Sequence, residues 1–272
     1  MEVEDEIAQA ARVIVESKRV IALTGAGIST ESGVPDFRSP GGIWERYDQD
    51  IFTYDSFMAN PGRVWETHID MGENFVGARP NSAHYALVKL ERLGKLKCII
   101  TQNIDNLHQE AGNTYVIEFH GNMRWARCLN CNKRYPYEEV EERVRGGENL
   151  PRCECGGVLK PDVVFFGEAI PIEALMRSQE EARNCDLMLV VGTSGVVYPA
   201  SELPLIAKRA ERFRPGFGFD WFMEPADMGA TIIEINRGET CLTTISDYTI
   251  KGDAGKILPK IVGEVERLLK EE

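Results

Sequence analysis

No apolar run in this chain approaches the roughly 20 residues that a membrane helix needs. Its first residues, Met1-Glu2-Val3-Glu4-Asp5-Glu6, are acidic, whereas a secretion signal needs a basic start and an apolar stretch. Clustered Lys and Arg are missing too. With 31 basic against 43 acidic side chains the net charge is −12, the wrong sign for a surface that grips a phosphate backbone. Glycine is dense only at Gly25 to Gly27 and in a few short turns, which excludes a low-complexity linker. The expectation is a cytoplasmic protein that binds neither membrane nor nucleic acid. Its acidity is compatible with a basic polypeptide substrate, and also with simple solvation of helix faces such as Glu138, Glu139, Glu141 and Glu142.

Seven cysteines is an odd count, and without a secretion signal their pattern reads as metal before disulfide. Cys98 and Cys185 adjoin apolar runs and read as inert core, and Cys241 sits in a loop-like stretch with no partner. Cys128-x-x-Cys131 and Cys153-x-Cys155 supply four thiolates on two short segments, the arrangement of a zinc ribbon. Only Glu154 separates the second pair, where two residues are usual, and Gly156 and Gly157 follow to relax that turn. Four thiolates complete a tetrahedral shell and leave no place for water, so a zinc ion there is structural.

The remaining pattern is α/β. Val20-Ile21-Ala22-Leu23, Cys98-Ile99-Ile100, Leu187 to Val191 and Thr231 to Ile235 are short apolar runs typical of buried parallel strands. Helical spacing occupies Ile7 to Val15, Ala83 to Leu93, Pro171 to Asn184, Pro199 to Arg212 and Ala254 to Lys270. This alternation predicts a parallel sheet with helices on both faces. Residues 40–80, with Trp44, Tyr47, Phe52, Tyr54, Phe57 and Trp65 at irregular spacing, read as a loop and a small helical insert. With the cysteine-bearing stretch 126–158 they suggest a second domain inserted in two pieces, and a cleft between domains is a common ligand site.

The first strand runs into Thr24-Gly25-Ala26-Gly27-Ile28-Ser29. Glycines after a strand let the backbone turn tightly and approach a pyrophosphate at a helix N-terminus. The full dinucleotide fingerprint is incomplete, since Thr30 stands where a third glycine is wanted. Two later strand ends, Gly192-Thr193-Ser194 and Asn236, carry small polar groups suited to phosphate or ribose, or to ordinary caps and turns. Asn103 and Asp105 follow another strand-like run, and His120 ends the next, in a place where an acid or base would act.

Several stretches resemble the sirtuin family in their order along the chain: Thr24 to Arg38, Thr101-Gln102-Asn103-Ile104-Asp105, Phe119-His120-Gly121, the cysteine pairs, Val163 to Glu168, Gly192-Thr193-Ser194 and Glu234-Ile235-Asn236. They span residues from about 20 to 255, and a compact, prokaryotic-type member fits best. The resemblance implies a Rossmann-like NAD-binding domain from 1–42, 80–125 and 159–272. It implies a small domain from the helical insert 43–79 and the zinc-ribbon insert 126–158, with one zinc per chain on Cys128, Cys131, Cys153 and Cys155.

The same resemblance assigns the site. NAD is expected across Gly25, Ala26, Gly27, Thr30 and Asp36, with its pyrophosphate near Ala26 and Gly27, Phe37 beside the nicotinamide ring, Arg38 at the phosphate and Gln102 at the nicotinamide ribose. Ile104 and Asp105 are expected at the carboxamide, Gly192, Thr193, Ser194 and Asn236 at phosphate and adenine ribose, and Arg237, Asp253 and Ala254 toward the adenine. His120, with Asn103, is the expected catalytic pair. In the implied reaction the acyl oxygen of a modified lysine attacks the ribose as nicotinamide leaves, and His120 acts as general base on the ribose hydroxyls. The products are nicotinamide, free lysine and O-acyl-ADP-ribose. An acylated peptide is expected to lie as an added strand between Val163-Val164-Phe165 and Gly195-Val196-Val197-Tyr198. Around Trp65 to Asp70 no Tyr-x-x-Arg pair occurs, which by the same resemblance favours acetyl over acidic acyl groups. A preference for longer acyl chains and NAD glycohydrolysis or ADP-ribosyl transfer are the alternatives. The aromatic segment Phe213 to Met223 departs from the family pattern and reads as a lid, an oligomer contact or simple packing.

Overall fold

A computed structural model describes residues 3–209 and 229–271; the aromatic segment Phe213 to Met223 lies outside them. Nine strands are described: β1 Val20–Thr24, β2 Leu96–Thr101, β3 Val116–Glu118, β4 Gly121–Cys128, β5 Arg134–Pro136, β6 Leu159–Val163, β7 Leu187–Val191, β8 Thr231–Asn236 and β9 Tyr248–Lys251. Six of them pair in parallel in the order β3-β2-β1-β7-β8-β9. Every residue of β1 and β7 is buried, as expected of strands with no solvent face. Alternate side chains serve opposite faces. Val20 and Ala22 join the core under helices Val3–Glu16, Ser82–Arg92 and Ala254–Glu271. Ile21 and Leu23 join the core under Ile172–Asn184 and Leu203–Arg209.

The strand order positions the site. From β1 the chain builds outward to β3, then returns to β7 on the other side of β1 and continues to β9. The order therefore reverses between β1 and β7, and a crevice opens beyond their carboxyl ends. There the two turns interlock: Gly25 N–H donates to the Val191 carbonyl at 3.0 Å and Gly27 N–H to the Gly192 carbonyl at 2.8 Å.

A third core sits beside this sheet. β5, β4 and β6 form an antiparallel sheet whose apolar side meets helices Tyr54–Ala59, Pro61–Gly72 and Tyr137–Arg145. Trp65 is fully buried at its centre, and its indole N–H donates to the Leu159 carbonyl at 2.9 Å. The three-stranded sheet runs from Gly121 to Val163, so its central strand β4 and edge strand β6 extend past the 126–158 insert at its two ends.

Local differences from the sequence reading have local causes. The 40–80 stretch holds five helices, Ile43–Arg46, Gln49–Phe52, Tyr54–Ala59, Pro61–Gly72 and Glu73–Phe75, where a loop and a small helical insert were expected. Side-chain caps start Tyr54–Ala59 and Pro61–Gly72: Thr53 accepts from Ser56 N–H and Asn60 from Arg63 N–H. The helix expected from Pro199 begins as a single tight turn, Ala200–Glu202, before Leu203–Arg209, and its expected end at Arg212 lies outside the described residues. The strand before His120 stops at Glu118, so His120 stands in the turn between β3 and β4.

The interlock sets a clear expectation for one position. Gly192 has φ +62, and a Cβ there would lie 2.4 Å from Ile28 N. Strain and overpacking each cost about 1–3 kcal/mol, so Gly192→Ala is expected to lower unfolding free energy by about 2–4 kcal/mol. Urea denaturation measures this, and a stability equal to the parent would contradict the interlock.

Candidate functional site at the sheet switch point

A cavity of about 480 Å³ opens beyond β1 and β7 and reaches under the small module. Gly25, Ala26, Gly27, Asp36, Phe37, Arg38, Gln102, Asn103, Ile104, Asp105 and His120 all line it. So do Val163, Val164, Phe165, Gly192, Thr193, Ser194, Val197, Asn236, Arg237 and Ala254. Four expected contacts are not in its wall. Thr30 turns its hydroxyl back to the Gly27 carbonyl at 3.1 Å, and Gly195 N–H is drawn toward the Thr193 hydroxyl at 3.5 Å. Val196 is exposed. Asp253 is engaged by Arg237 Nε at 2.7 Å and Lys256 Nζ at 2.6 Å; Lys256 and then Arg237 hold its carboxyl below the usual range.

The glycine turn departs from the expected form. It leads into two three-residue 3₁₀ turns, Ala26–Ile28 and Thr30–Ser32, and not into an α-helix. A long helix dipole is therefore absent at this point, and the turn offers polar backbone and small side chains in its place. Asn236 also braces the turn locally, its amide donating to the Thr193 carbonyl at 2.9 Å and its oxygen accepting from Arg237 N–H at 2.9 Å. Gln102 Nε2 donates to Thr193 Oγ1 at 2.9 Å, which ties the β2 turn to the β7 turn.

A polar knot that sequence reasoning did not single out lies deeper. Ser29 Oγ donates to Asp105 Oδ2 at 2.6 Å, and Asn103 Nδ2 donates to Ser29 Oγ at 3.0 Å. Burial pushes the Asp105 carboxyl upward, opposed by bonds from Ser29, Leu107 N–H and Asn103. The clue to Ser29 in the sequence was its place just after the glycine turn, near the small polar residues Thr24, Thr30 and Ser32.

His120 Nδ1 lies 3.1 Å from the Gln102 carbonyl. A carbonyl only accepts, so Nδ1 carries the proton and Nε2 keeps its lone pair. Burial pulls the imidazole pKa down, partly offset by the Gln102 carbonyl; the ring is a neutral base at neutral pH. Its own carbonyl accepts from Val164 N–H at 2.8 Å, which joins the base to the segment 163–165.

That segment is held from the other side by the helical insert. Phe166 N–H donates to the Phe52 carbonyl and Tyr54 N–H to the Phe166 carbonyl, both at 2.9 Å. Aromatic rings then run in sequence away from the nucleotide end. Phe37 meets Trp44 at 5.1 Å, Trp44 meets Phe52 at 5.4 Å, and His68 contacts Phe52 at 5.5 Å and Phe165 at 5.1 Å. Lys160 is fully buried behind Phe165, with Nζ 3.0 Å from Glu168 and 4.1 Å from the Phe165 ring centre. The chamber walls formed by His68, Met71 and Phe75 were not anticipated, because aromatic spacing in the insert was irregular.

The four cysteines Cys128, Cys131, Cys153 and Cys155 converge, with all sulfurs within 4.8 Å of one another. Cys128 and Cys155 sulfurs are 3.5 Å apart, and those of Cys131 and Cys153 are 3.6 Å apart. Tetrahedral zinc with bonds of about 2.3 Å needs sulfur separations of roughly 3.8 Å, so the set fits one zinc ion. The Gly157 backbone N–H and then the Asn130 side-chain amide bring the Cys155 thiol down to about 6, which suits a thiolate ligand. None of the four lines the cavity. Cys98 and Cys185 are buried as expected, and Cys241 is exposed.

The geometry defines a Rossmann-like protein with a switch-point cleft and a zinc-ready module. The Sir2 family model matches residues 25–199. An NAD-dependent protein deacylase of Pyrococcus abyssi is 45% identical over 97% of this chain and 100% of its own length. NAD-dependent protein deacylase 2 of Archaeoglobus fulgidus is 45% identical over 99% of this chain and 100% of its own. A Sir2 homologue solved with ADP-ribose superposes with TM-score 0.84 at 41% identity, covering 97% of this chain and 98% of that one. A Sir2 protein with deacetylated p53 peptide and 3′-O-acetyl-ADP-ribose superposes with TM-score 0.83 at 36% identity, over 94% and 97%. Another, bound to a myristoylated histone peptide, gives TM-score 0.75 at 41% identity, over 99% and 100%. The chain belongs to the Sir2 family, the sirtuins. No helix among the described residues is long and apolar enough to cross a membrane.

Two expectations follow from the site's supports. Elemental analysis is expected to find one zinc per chain, and its removal by a chelator should lower the melting temperature by loosening the module around Trp65; an unchanged melt after verified metal loss would contradict a structural role. The second concerns His68, whose ring nitrogens are both buried without a partner. Burial, and then the Lys160 charge, hold its pKa down at about 3 against an ordinary 6.5. The unfolded chain therefore binds a proton in that window that the native chain does not, so stability falls as pH drops. Its contribution is up to about 1.4 kcal/mol per pH unit. His68→Leu should show a shallower decline in unfolding free energy between about pH 6 and 4; parallel declines would overturn this.

Proposed function

We propose that this chain is an NAD-dependent protein-lysine deacetylase, passing the acyl group to ADP-ribose and releasing nicotinamide and O-acyl-ADP-ribose. The observation that carries the reading is His120, a neutral imidazole with Nδ1 held by the Gln102 carbonyl, set beside the Ser29–Asn103–Asp105 knot in a switch-point cleft. The residues fit a dinucleotide. Interlocked Gly25, Gly27 and Gly192 keep side chains out of the space between the two turns, and Thr193, Ser194 and Asn236 surround it.

NAD supplies an activated ribose from which nicotinamide departs. Asp105 and Ile104 hold the carboxamide, with Asn103 and Ser29 fixing the carboxylate and Phe37 bordering the ring. Arg38, Asp36 and Gln102 orient the ribose and phosphate; burial raises Asp36, but bonds from the Ser39 hydroxyl and the Ser39 and Arg38 N–H groups outweigh it and keep it ionised. Gly192, Thr193, Ser194 and Asn236 take phosphate and adenine ribose. Ala254 and Arg237 border the adenine end, with Asp253 holding Arg237 there, and Thr30 supports the turn through Gly27. Nε2 of His120 accepts the ribose hydroxyl proton, while the apolar walls keep water away. The peptide adds as a strand between Val163-Val164-Phe165 and Gly195-Val196-Val197.

The large NAD-binding domain comprises 1–42, 80–125 and 159–272, and the small domain comprises 43–79 and 126–158 with its structural zinc; the small module's own apolar core, separate from the two that flank the parallel sheet, supports that division. The substrates are acyl-lysine proteins or peptides in the cytoplasm, consistent with the net charge of −12, and neither nucleic acid nor membrane is a partner. A second reading, preference for longer acyl chains, is favoured by the apolar side chains Met71 and Phe75 of the helical insert in the same cavity wall as Phe165.

Nicotinamide release from NAD is expected only when an acetyl-lysine peptide is present, and His120→Ala should reduce it by at least about 10²-fold. Release without acyl-lysine would favour a glycohydrolase or ADP-ribosyltransferase, and full activity in the variant would remove His120 from the chemistry. Because burial lowers the His120 pKa from 6.5, the base is lost only when pH falls below that value. The acid limb of kcat/KM against pH should therefore have its midpoint below 6.5; a midpoint above it would contradict the assigned environment.

A further inference from the structure

Strand β6 is buried at every residue, yet Lys160, Pro161 and Asp162 make up its middle. Alternate side chains of a strand share a face, so Lys160 and Asp162 lie on one side of it. Asp162 meets Arg127 of β4 at 3.0 Å and Arg134 of β5 at 2.6 Å. Lys160 is fully buried and serves a different purpose, which the ladder beside it makes clear. β6 pairs with β4 through Pro161 with Ala126 and Val163 with Gly121. Between those pairs β6 has only Asp162, while β4 runs from Asn122 to Trp125, so the ladder is broken there. Pro161 also lacks an N–H to give. The sheet therefore holds the chain weakly just where it leaves for the cavity wall as Val163, Val164 and Phe165.

One ammonium group fills that gap. Lys160 Nζ donates to the Pro161 carbonyl at 3.0 Å and to the Val163 carbonyl, and lies 3.0 Å from the Glu168 carboxylate. An ammonium has three donors, and each has an acceptor within residues 161–168. Glu168 in turn accepts from Phe165 N–H at 3.0 Å, and the Phe165 ring centre lies 4.1 Å from Nζ, within cation–π range. The chain from Pro161 to Glu168 is wound around a single charge. Burial pulls the Lys160 pKa down, opposed by the Glu168 charge. An apolar side chain would fill the same space with less desolvation, but it would not fix the direction of two carbonyls and, through Glu168, of one N–H.

We propose that Lys160 is a positioning residue for the acyl-lysine substrate: its ammonium sets the backbone of Val163 to Phe165 in the form that receives the peptide strand. This rests on the deacylase reading and adds a residue to the same site. Lys160 stands behind the segment and is not in the cavity wall, so it touches neither peptide nor cofactor. The nucleotide end is built from the turns after β1, β7 and β8, and loss of the ammonium leaves those turns in place.

The test combines steady-state kinetics on an acetyl-lysine peptide with ADP-ribose binding measured by calorimetry in the absence of peptide. Lys160→Met should raise the peptide KM by about tenfold, the lower end of what a hydrogen bond to a charged group contributes, and leave ADP-ribose affinity unchanged. A merely structural role gives another signature: unfolding removes active molecules, which lowers kcat and leaves KM in place. The second variant, Lys160→Met with Glu168→Gln, removes both buried charges together, a replacement that is often neutral for stability. It still strands the Pro161 and Val163 carbonyls, so its peptide KM should also stay raised, and it decides the matter if Lys160→Met alone does not fold. A parental KM in either folded variant, a fall in kcat alone, or an equal loss of ADP-ribose affinity overturns the proposal. Turnover by the parent chain separates the failures. Parent deacetylation with unchanged KM in the variants sinks this inference alone, whereas a parent inactive on every acyl-lysine removes the deacylase reading and this one with it.

Discussion

The close approach of two turns, Gly25 to Gly27 after β1 and Gly192 to Ser194 after β7, is the constraint on which the site depends. Both strands are buried on both faces, so their only polar exits are at their ends. Backbone bonds between the turns, with no side chain between them, bring the two halves of the sheet together where strand order reverses. Everything polar in the cleft is then referenced to that junction. Gln102 is tied to Thr193 from one side and Asn236 from the other, and the Gln102 carbonyl in turn holds His120.

Desolvation acts twice in this cavity, with different consequences. At His120 it keeps the ring neutral while one carbonyl fixes the tautomer, so a lone pair is available as a base. At His68 it also keeps the ring neutral, but no neighbour completes its bonding. The two histidines share a chemistry and differ in their partners, which separates a ring whose tautomer is fixed from one packed unpaired against Phe52 and Phe165. The zinc-ready cysteines belong to neither role. Their closed set holds the sheet that presents Val163 to Phe165.

Much of the fold was legible because the physics behind it is local. Runs such as Leu187 to Val191 are apolar without interruption, and only a doubly covered strand tolerates that. Two close-spaced cysteine pairs on separate segments point to metal by spacing. Other features were not local. β9, four residues at the sheet edge, has too little apolar character to announce itself. The helices between 43 and 72 start at caps such as Thr53 and Asn60, whose signal was masked by the irregular aromatics. Thr30 and Asp253, expected in the cleft by motif, turn instead to Gly27, and to Arg237 and Lys256; a motif specifies neighbourhood, while the local bond decides direction.

The sequence by itself determined the alternation of buried strands and helices, the four-thiolate set, and the motifs that mark Asn103, Asp105 and His120. Each is written in adjacent or evenly spaced residues, where apolar periodicity and ligand spacing act. Tertiary structure alone decided that residues as distant as Gly25, Asp105, His120 and Asn236 share one cleft, and that His68 joins its wall. A helix stripe shows which side is buried, but only packing against Phe52 and Phe165, contributed by other segments of the chain, determines whether that side meets core or cavity.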